Sequence, residues 1–219
     1  EIDLPENTDP FAAEVYTKGK ENFERMLDEG ILIQDEQPCY YLYRLIMGSH
    51  VQTGLVAAAS VADYDAGRIR KHEFTRPDKE DDRVRQIDSL GAQTGPVFLT
   101  YRNNKTIDDL VERLSAADPD MDVTADDGVR HTLWAVSEPG AVQTISSTFD
   151  GMERLYVADG HHRSAAASRV AAKRREANPN HTGDEPYNFF LSVIFSDVQM
   201  QILDYNRIVT DLGGHSEEA

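Results

Sequence analysis

Leu155-Tyr156-Val157-Ala158-Asp159-Gly160-His161-His162-Arg163-Ser164-Ala165-Ala166-Ala167 reads as a short apolar strand that stops at Asp159-Gly160, followed at once by an alanine-rich helix. The turn between them carries two histidines and an arginine. A helix N-terminus leaves backbone N–H groups without partners, and its dipole favours negative charge. Gly160 lets a ligand approach the backbone, and Arg163 can fork onto phosphate. The stretch therefore predicts an anion site, with nucleotide phosphates as the expected ligand. A charge at a helix end gains only about 0.3–1 kcal/mol, or about 2 in favourable geometry. Micromolar binding needs about 8 kcal/mol. Charge-assisted hydrogen bonds of about 1.5–3 kcal/mol each must supply most of the rest. Further cations, and a metal, are expected from elsewhere in the chain.

The chain has 219 residues, 40% of them hydrophobic, enough for one large domain or two small ones. Its net charge of −17, with only six lysines, argues against a nucleic-acid surface. An acidic surface fits solubility first and a saline cytoplasm second. The single cysteine, Cys39, rules out an internal disulfide framework and a cysteine-based zinc cluster. It also points weakly to a reducing compartment. No apolar run approaches the roughly 20 residues of a membrane helix, so no membrane partner is expected. The reading is a cytoplasmic protein. Glu1 is not a methionine, which leaves open a trimmed start and a lost targeting segment.

Strand and helix patterns interleave irregularly, which predicts a mixed α/β (α+β) domain rather than a regular βαβ array. Residues 1–30 read as an arm and an amphipathic helix from Phe11 to Leu27. Residues 31–212 read as a single domain, and 213–219 as a disordered tail. Cys39–Met47 suits a buried strand, which would leave the thiol buried and inert, and Val51–Val61 is a second apolar stretch before a turn at Asp63–Gly67. A helix opens near Pro77 and runs to Leu90. Pro96–Tyr101 is a strand. Thr106–Ala117 is a helix with Thr106 as N-cap and Asp109 at capping-box spacing. Met121–Val123 and Val129–Val136 form a hairpin, and Gly140–Phe149 a short helix. Leu155–Ala158, His161–Glu176, Tyr187–Phe195 and Ile202–Val209 then read strand, helix, strand, strand.

Neither a Walker pattern nor a Gly-x-Gly-x-x-Gly fingerprint is present. Two clusters carry the chemistry. For Asp159 to Arg163, the bland alternative is a helix capped by Asp159 with exposed histidines. Zinc binding is disfavoured, because adjacent residues seldom face one metal. The second cluster is His72, Glu73 and Thr75, followed by Lys79, Glu80, Asp82 and Arg83. Its bland alternative is a strand end and a solvated salt-bridge face. Functionally, Glu73 would be a general base or a magnesium ligand, and Lys79 and Arg83 would meet phosphate charge. His131, Trp134, Asn206 and Arg207 read as structural.

The segments Pro38–Arg44, Gln52–Leu55, Lys71–Thr75 with Lys79 and Asp82-Arg83, His131–Trp134, Tyr156–Arg163 and Tyr205–Arg207 together resemble the family called domain of unknown function ten-fifteen. Its members are usually longer at both ends, so the chain resembles a core fragment or a short member. The resemblance implies a ParB/sulfiredoxin-like fold, in which a Gly-x-x-Arg-x-x-Ala turn holds nucleotide phosphates. Gly160, Arg163 and Ala166 fit that pattern. Sulfiredoxins place a cysteine after the glycine, and His161 stands there instead. ParB proteins bind CTP and DNA and carry a helix-turn-helix, which is not visible here. The relation to free serine kinases fits best. It implies a kinase dependent on ATP or ADP and on magnesium (Mg), acting on a small hydroxylated metabolite, with L-serine favoured. The expected catalytic residues are Glu73, His72, Asp159 and His162. Gly160, His161, His162, Arg163, Ser164, Thr75, Lys79 and Arg83 would bind the nucleotide, and Glu73 and Asp159 the metal. The alternatives are a non-catalytic nucleotide switch, a homodimer being one possible form, and a kinase for another metabolite.

Overall fold

The computed structural model describes residues 3–204, 206–211, 213, 214 and 216. Among them are six helices and eight strands. In chain order they are α1 (Ala13–Asp28), β1 (Tyr40–Met47), β2 (His50–Ser60), α2 (Val61–Asp65), β3 (Ile69–Arg70), α3 (Pro77–Leu90) and β4 (Val97–Tyr101). Then follow α4 (Lys105–Leu114), β5 (Met121–Thr124), β6 (Arg130–Val136), α5 (Pro139–Asp150), β7 (Leu155–Asp159), α6 (His161–Ala177) and β8 (Phe189–Ser196). The strands form one mixed sheet in the order β3-β7-β4-β8-β2-β1-β6-β5. This is the mixed α/β architecture that the irregular interleaving predicts.

The middle of the sheet explains where a site can form. β8 runs parallel to β4, and β7 antiparallel to it, with Phe98 opposite Asp159. The end of β7, the loop entering β4 and the start of β8 therefore lie at the same end of the sheet's strands. Burial supports the arrangement. Val97, Leu99 and Tyr101 of β4 point to one face, as alternation requires. They pack with Val157 of β7, Ile194 of β8, and Ala167 and Ala171 of α6. A second cluster joins Leu42, Leu55, Trp134 and Val136 to Leu110 of α4 and Ile145 of α5. Trp134 is core, with its indole N–H on the Ala117 carbonyl at 2.9 Å.

Helix α3 buries no residue. It is held instead by polar contacts to α6. Arg169 pairs with Glu80 at 3.2 Å and Asp81 at 2.7 Å, and Asp88 takes Lys173 at 2.5 Å and Arg174 at 3.2 Å. Lys173 first, then Arg174, holds the Asp88 carboxyl below its usual range against the opposing effect of burial. Helix α1 packs on α3 from outside, with the Tyr16 hydroxyl donating to Asp82 at 2.8 Å.

Several expectations need correction. Helix α4 starts earlier than Thr106, because Asn104 caps it by accepting from the N–H groups of Thr106 and Ile107 at 3.0 and 3.4 Å. Asp109 pairs with Lys105 at 2.6 Å instead of closing a capping box. Val61 leaves the strand to open α2, capped by Ser60. Residues 186–188 form a 3-10 turn before β8. The strand expected at Ile202–Val209 does not form in its described residues; Tyr205 lies outside them. Ile202, Leu203, Ile208 and Val209 are exposed. Apolar and β-branched content favours a strand only where a neighbouring strand accepts it. Cys39 is half-buried, not enclosed. Of the tail, Gly213 and Gly214 form a turn, while His215 and residues 217–219 lie outside the described residues.

Gly54 in β2 faces Phe195 so closely that an added Cβ would lie 2.8 Å from the ring. Gly54→Ala is expected to lower unfolding free energy by about 1–3 kcal/mol in urea titrations, the usual cost of overpacking. An unchanged midpoint would show that Phe195 can move aside.

Candidate functional site

A cleft of about 620 Å³ opens where β7 ends. Four pieces of chain build it: the turn Asp159–Arg163, Glu73 in the segment before α3, the residues Arg76, Lys79, Arg83, Gln86 and Ile87 at and along α3, and the loop Ala92–Gly95 entering β4. Gly160 makes the turn possible. Its φ of +93° is left-handed, a conformation that side chains strongly resist. Strand therefore becomes helix within one residue. Gly160, not Asp159, is the N-cap, and no side chain caps the helix. The Asp159 carboxylate turns instead to Arg163, at 2.7 Å. Arg163 also donates to the Pro96 carbonyl, which ties the turn to the β4 loop. Its guanidinium lies 3.1–3.2 Å from where a Gly160 Cβ would sit.

The two histidines divide the work. His162 receives the Arg76 backbone N–H on Nε2 at 3.1 Å. That bond requires Nε2 to be unprotonated, so the neutral ring carries its proton on Nδ1. It also ties the approach to α3 onto the start of α6. His161 is only 3% exposed, contrary to the exposed-histidine alternative. Its Nδ1 lies 3.4 Å from Glu73 Oε2, and its ring stands edge-to-face with His72, centroids 4.5 Å apart. Nε2 is buried and has no partner among the described residues. Burial, then the neighbouring His72, lowers the His161 pKa; Glu73 opposes them. The ring is therefore neutral at pH 7.

Four cations line the cleft: Arg76, Lys79, Arg83 and Arg163. Arg76 pairs with Asp78 at 2.8 Å and Arg83 with Asp82 at 3.0 Å. Lys79 makes no ion pair among the described residues. In a chain of net charge −17, the cleft thus gathers four cations around two carboxylates, Glu73 and Asp159.

The expected residues do not all share this cleft. Lys79, Arg83, Asp159, Gly160, His161, His162 and Arg163 line it. His72 and Thr75 line a second hollow of about 560 Å³, with Tyr64, Lys71 and Ser168. Glu73 lines both. Thr75 donates to Glu80, itself bound by Arg169, so its hydroxyl serves the α3–α6 seam. Ser164 is fully buried and donates to the His161 carbonyl at 3.1 Å; it is a helix residue beneath the turn, outside the cleft wall. His131 is engaged with the Tyr43 hydroxyl at 2.6 Å, remote from the cleft lining. Arg76 and the Gln93–Gly95 loop were not anticipated. Arg76, Lys79 and Arg83 recur at spacings of three and four, a one-face signal available in the sequence. The loop carries no motif; only the pairing of β4 with β7 brings it here.

A family model described as "Protein of unknown function (DUF1015)" matches residues 1–219. The chain belongs to this family. No curated protein and no solved structure matches it. No helix among the described residues is long and apolar enough to cross a membrane.

The depressed His161 pKa fixes a sign. As pH falls through about 6.5, the unfolded chain takes up a proton that the folded protein refuses. Stability is thus present above that pH and lost below it. The slope of unfolding free energy between pH 7 and 5.5 should be shallower in His161→Gln. Equal slopes would place the proton uptake at other histidines.

Proposed function

We propose that the protein is a nucleotide- and magnesium-dependent small-molecule kinase with the ParB/sulfiredoxin-type fold, acting on free L-serine. One observation carries the reading: Glu73 stands in the wall between a cation-lined cleft and a second hollow lined by His72, Thr75 and Ser168. A phosphoryl transfer needs a phosphate site, an acceptor site and a proton acceptor at their junction. The strand–Gly160–helix turn supports the phosphate assignment, since Gly160, Arg163 and Ala166 keep the pattern of that superfamily. Cytoplasmic location belongs to the same reading.

The donor set fits magnesium in one form only. Glu73 and Asp159 face the same cleft, and among the described residues no group of three or more His, Cys, Asp or Glu side chains forms a cage. Magnesium commonly uses one or two carboxylates together with substrate phosphates. Asp159 would hold it in that way, leaving the Glu73 carboxylate as the proton acceptor. Bound there, the ion would neutralise charge developing on the phosphate oxygens.

The chain's own residues supply the rest. Arg163, Lys79 and Arg83 hold the phosphates, with the free N–H groups of the first α6 turn. His162 keeps Nδ1–H available as a donor. The serine hydroxyl oxygen attacks the terminal phosphorus, the bond to the nucleotide's bridging oxygen breaks, and the hydroxyl proton passes to the Glu73 carboxylate. His161 orients that carboxylate from beneath. Positioning does most of the work, because an alcohol is a weak nucleophile at neutral pH.

Phosphorus NMR with ATP or ADP, magnesium and L-serine tests the reading. The wild type should give a phosphomonoester signal. Glu73→Gln should lose about 10²–10⁴-fold in rate with stability changed by less than about 0.5 kcal/mol. Arg163→Ala should lose nucleotide affinity. Wild-type turnover in Glu73→Gln would remove the base assignment. Nucleotide binding without turnover on any alcohol would favour a non-catalytic switch.

A further inference from the structure

The cation-lined cleft does not end at α3. Ile87, Ala92 and Gln93 also line a neighbouring hollow of about 300 Å³, whose other walls include Val170, Tyr187 and Leu191. We infer that this hollow receives the base of the nucleotide whose phosphates occupy the cleft, an inference that rests on the nucleotide reading above. It sets the direction in which the nucleotide lies: base towards β8, terminal phosphate towards Glu73.

Three observations support it. The first is adjacency: Ile87, Ala92 and Gln93 border both spaces. The second is reach. Arg163, Ala167, Val170 and Arg174 recur along one face of α6, and from His161 to Val170 the helix rises about 13 Å. That is the span of an extended nucleoside di- or triphosphate. The third is chemistry. The walls are mainly apolar, and their polar groups are already engaged. Gln93 donates to the Phe189 carbonyl at 3.2 Å and accepts from the Leu191 N–H at 3.1 Å, while Arg174 is held by Asp88. Such walls take an aromatic face and exclude phosphate. The opposite orientation would place the base in the hollow of Phe74, which is 99% exposed on the other side of Glu73 and whose other walls carry the charged groups of Lys71, Glu80 and Arg169.

Calorimetric titration of the full chain with ATP and with inorganic tripolyphosphate, both with magnesium, separates the possibilities. Tripolyphosphate carries at least as much charge, so a pure anion site binds it no more weakly than ATP. The hollow predicts ATP binding at least about tenfold tighter. Ala58→Trp, at an exposed β2 position that lines the hollow but not the cleft, should fill the hollow and bring the two affinities within about twofold, leaving that for tripolyphosphate unchanged. Unchanged tripolyphosphate binding also shows that the variant is folded. Phe74→Ala should leave the ATP preference intact. Equal wild-type affinities would overturn the base site while the phosphate cleft stands. Loss of preference in Phe74→Ala but not in Ala58→Trp would reverse the orientation. Binding of neither ligand would overturn the nucleotide reading itself.

Discussion

Gly160 joins the end of β7 to the start of α6 with a left-handed backbone, a conformation that side chains strongly resist. Everything in the cleft follows from that turn. It aims the free N–H groups of α6 outward at that end of the sheet. It leaves the space above Gly160 for the Arg163 guanidinium, which reaches across to Pro96 and back to Asp159. It sinks His161 under the floor and sends His162 sideways to the Arg76 backbone. A side chain at position 160 would meet both backbone strain and the arginine.

The second wall has a different origin. Helix α3 contributes no buried residue, so packing alone does not fix it. Its contacts with α6 run through Glu80, Asp81 and Asp88 on one side and Arg169, Lys173 and Arg174 on the other. Exposed ion pairs are each worth up to about 1 kcal/mol, which is little for global stability. Their effect is positional. They line up Lys79 and Arg83 opposite the α6 turn. They also make the α3–α6 seam a ridge, with the cation-lined cleft on one side and the hollow of Lys71, His72 and Ser168 on the other. Because the chain is otherwise strongly acidic, a local group of cations would also concentrate and orient the phosphates of the proposed nucleotide.

The parts of this arrangement that depend on local chemistry were legible in the sequence. Strand, glycine turn and helix at 155–177, the proline-led start of α3, and the hairpin around Gly128 all carry signals within a few residues. Mixed α/β architecture followed from their order. What the sequence did not show was set by pairing at a distance. The Gln93–Gly95 loop enters the cleft only because β4 pairs with β7, and no local motif announces that. His72 and Thr75 stand next to Glu73 in sequence but face another hollow, since the segment 71–75 passes between the two. Ser164 belongs to the first turn of α6 yet lies beneath the cleft, because helical periodicity turns it inward. The apolar run near Ile202 has strand composition without a strand to join. Asp159 looked like a cap because its side chain suits one; the sharper turn at Gly160 gives it Arg163 instead.

The claim on which the account rests is that the turn at Gly160 is where phosphate binds. Amide chemical-shift mapping of the isotopically labelled protein during a titration with magnesium and ADP tests it most directly. The account predicts that the largest shifts fall on the N–H groups of His161, His162 and Arg163, with smaller ones along Lys79 and Arg83. Saturable shifts centred elsewhere, with the amides of the α6 turn unmoved, would contradict it.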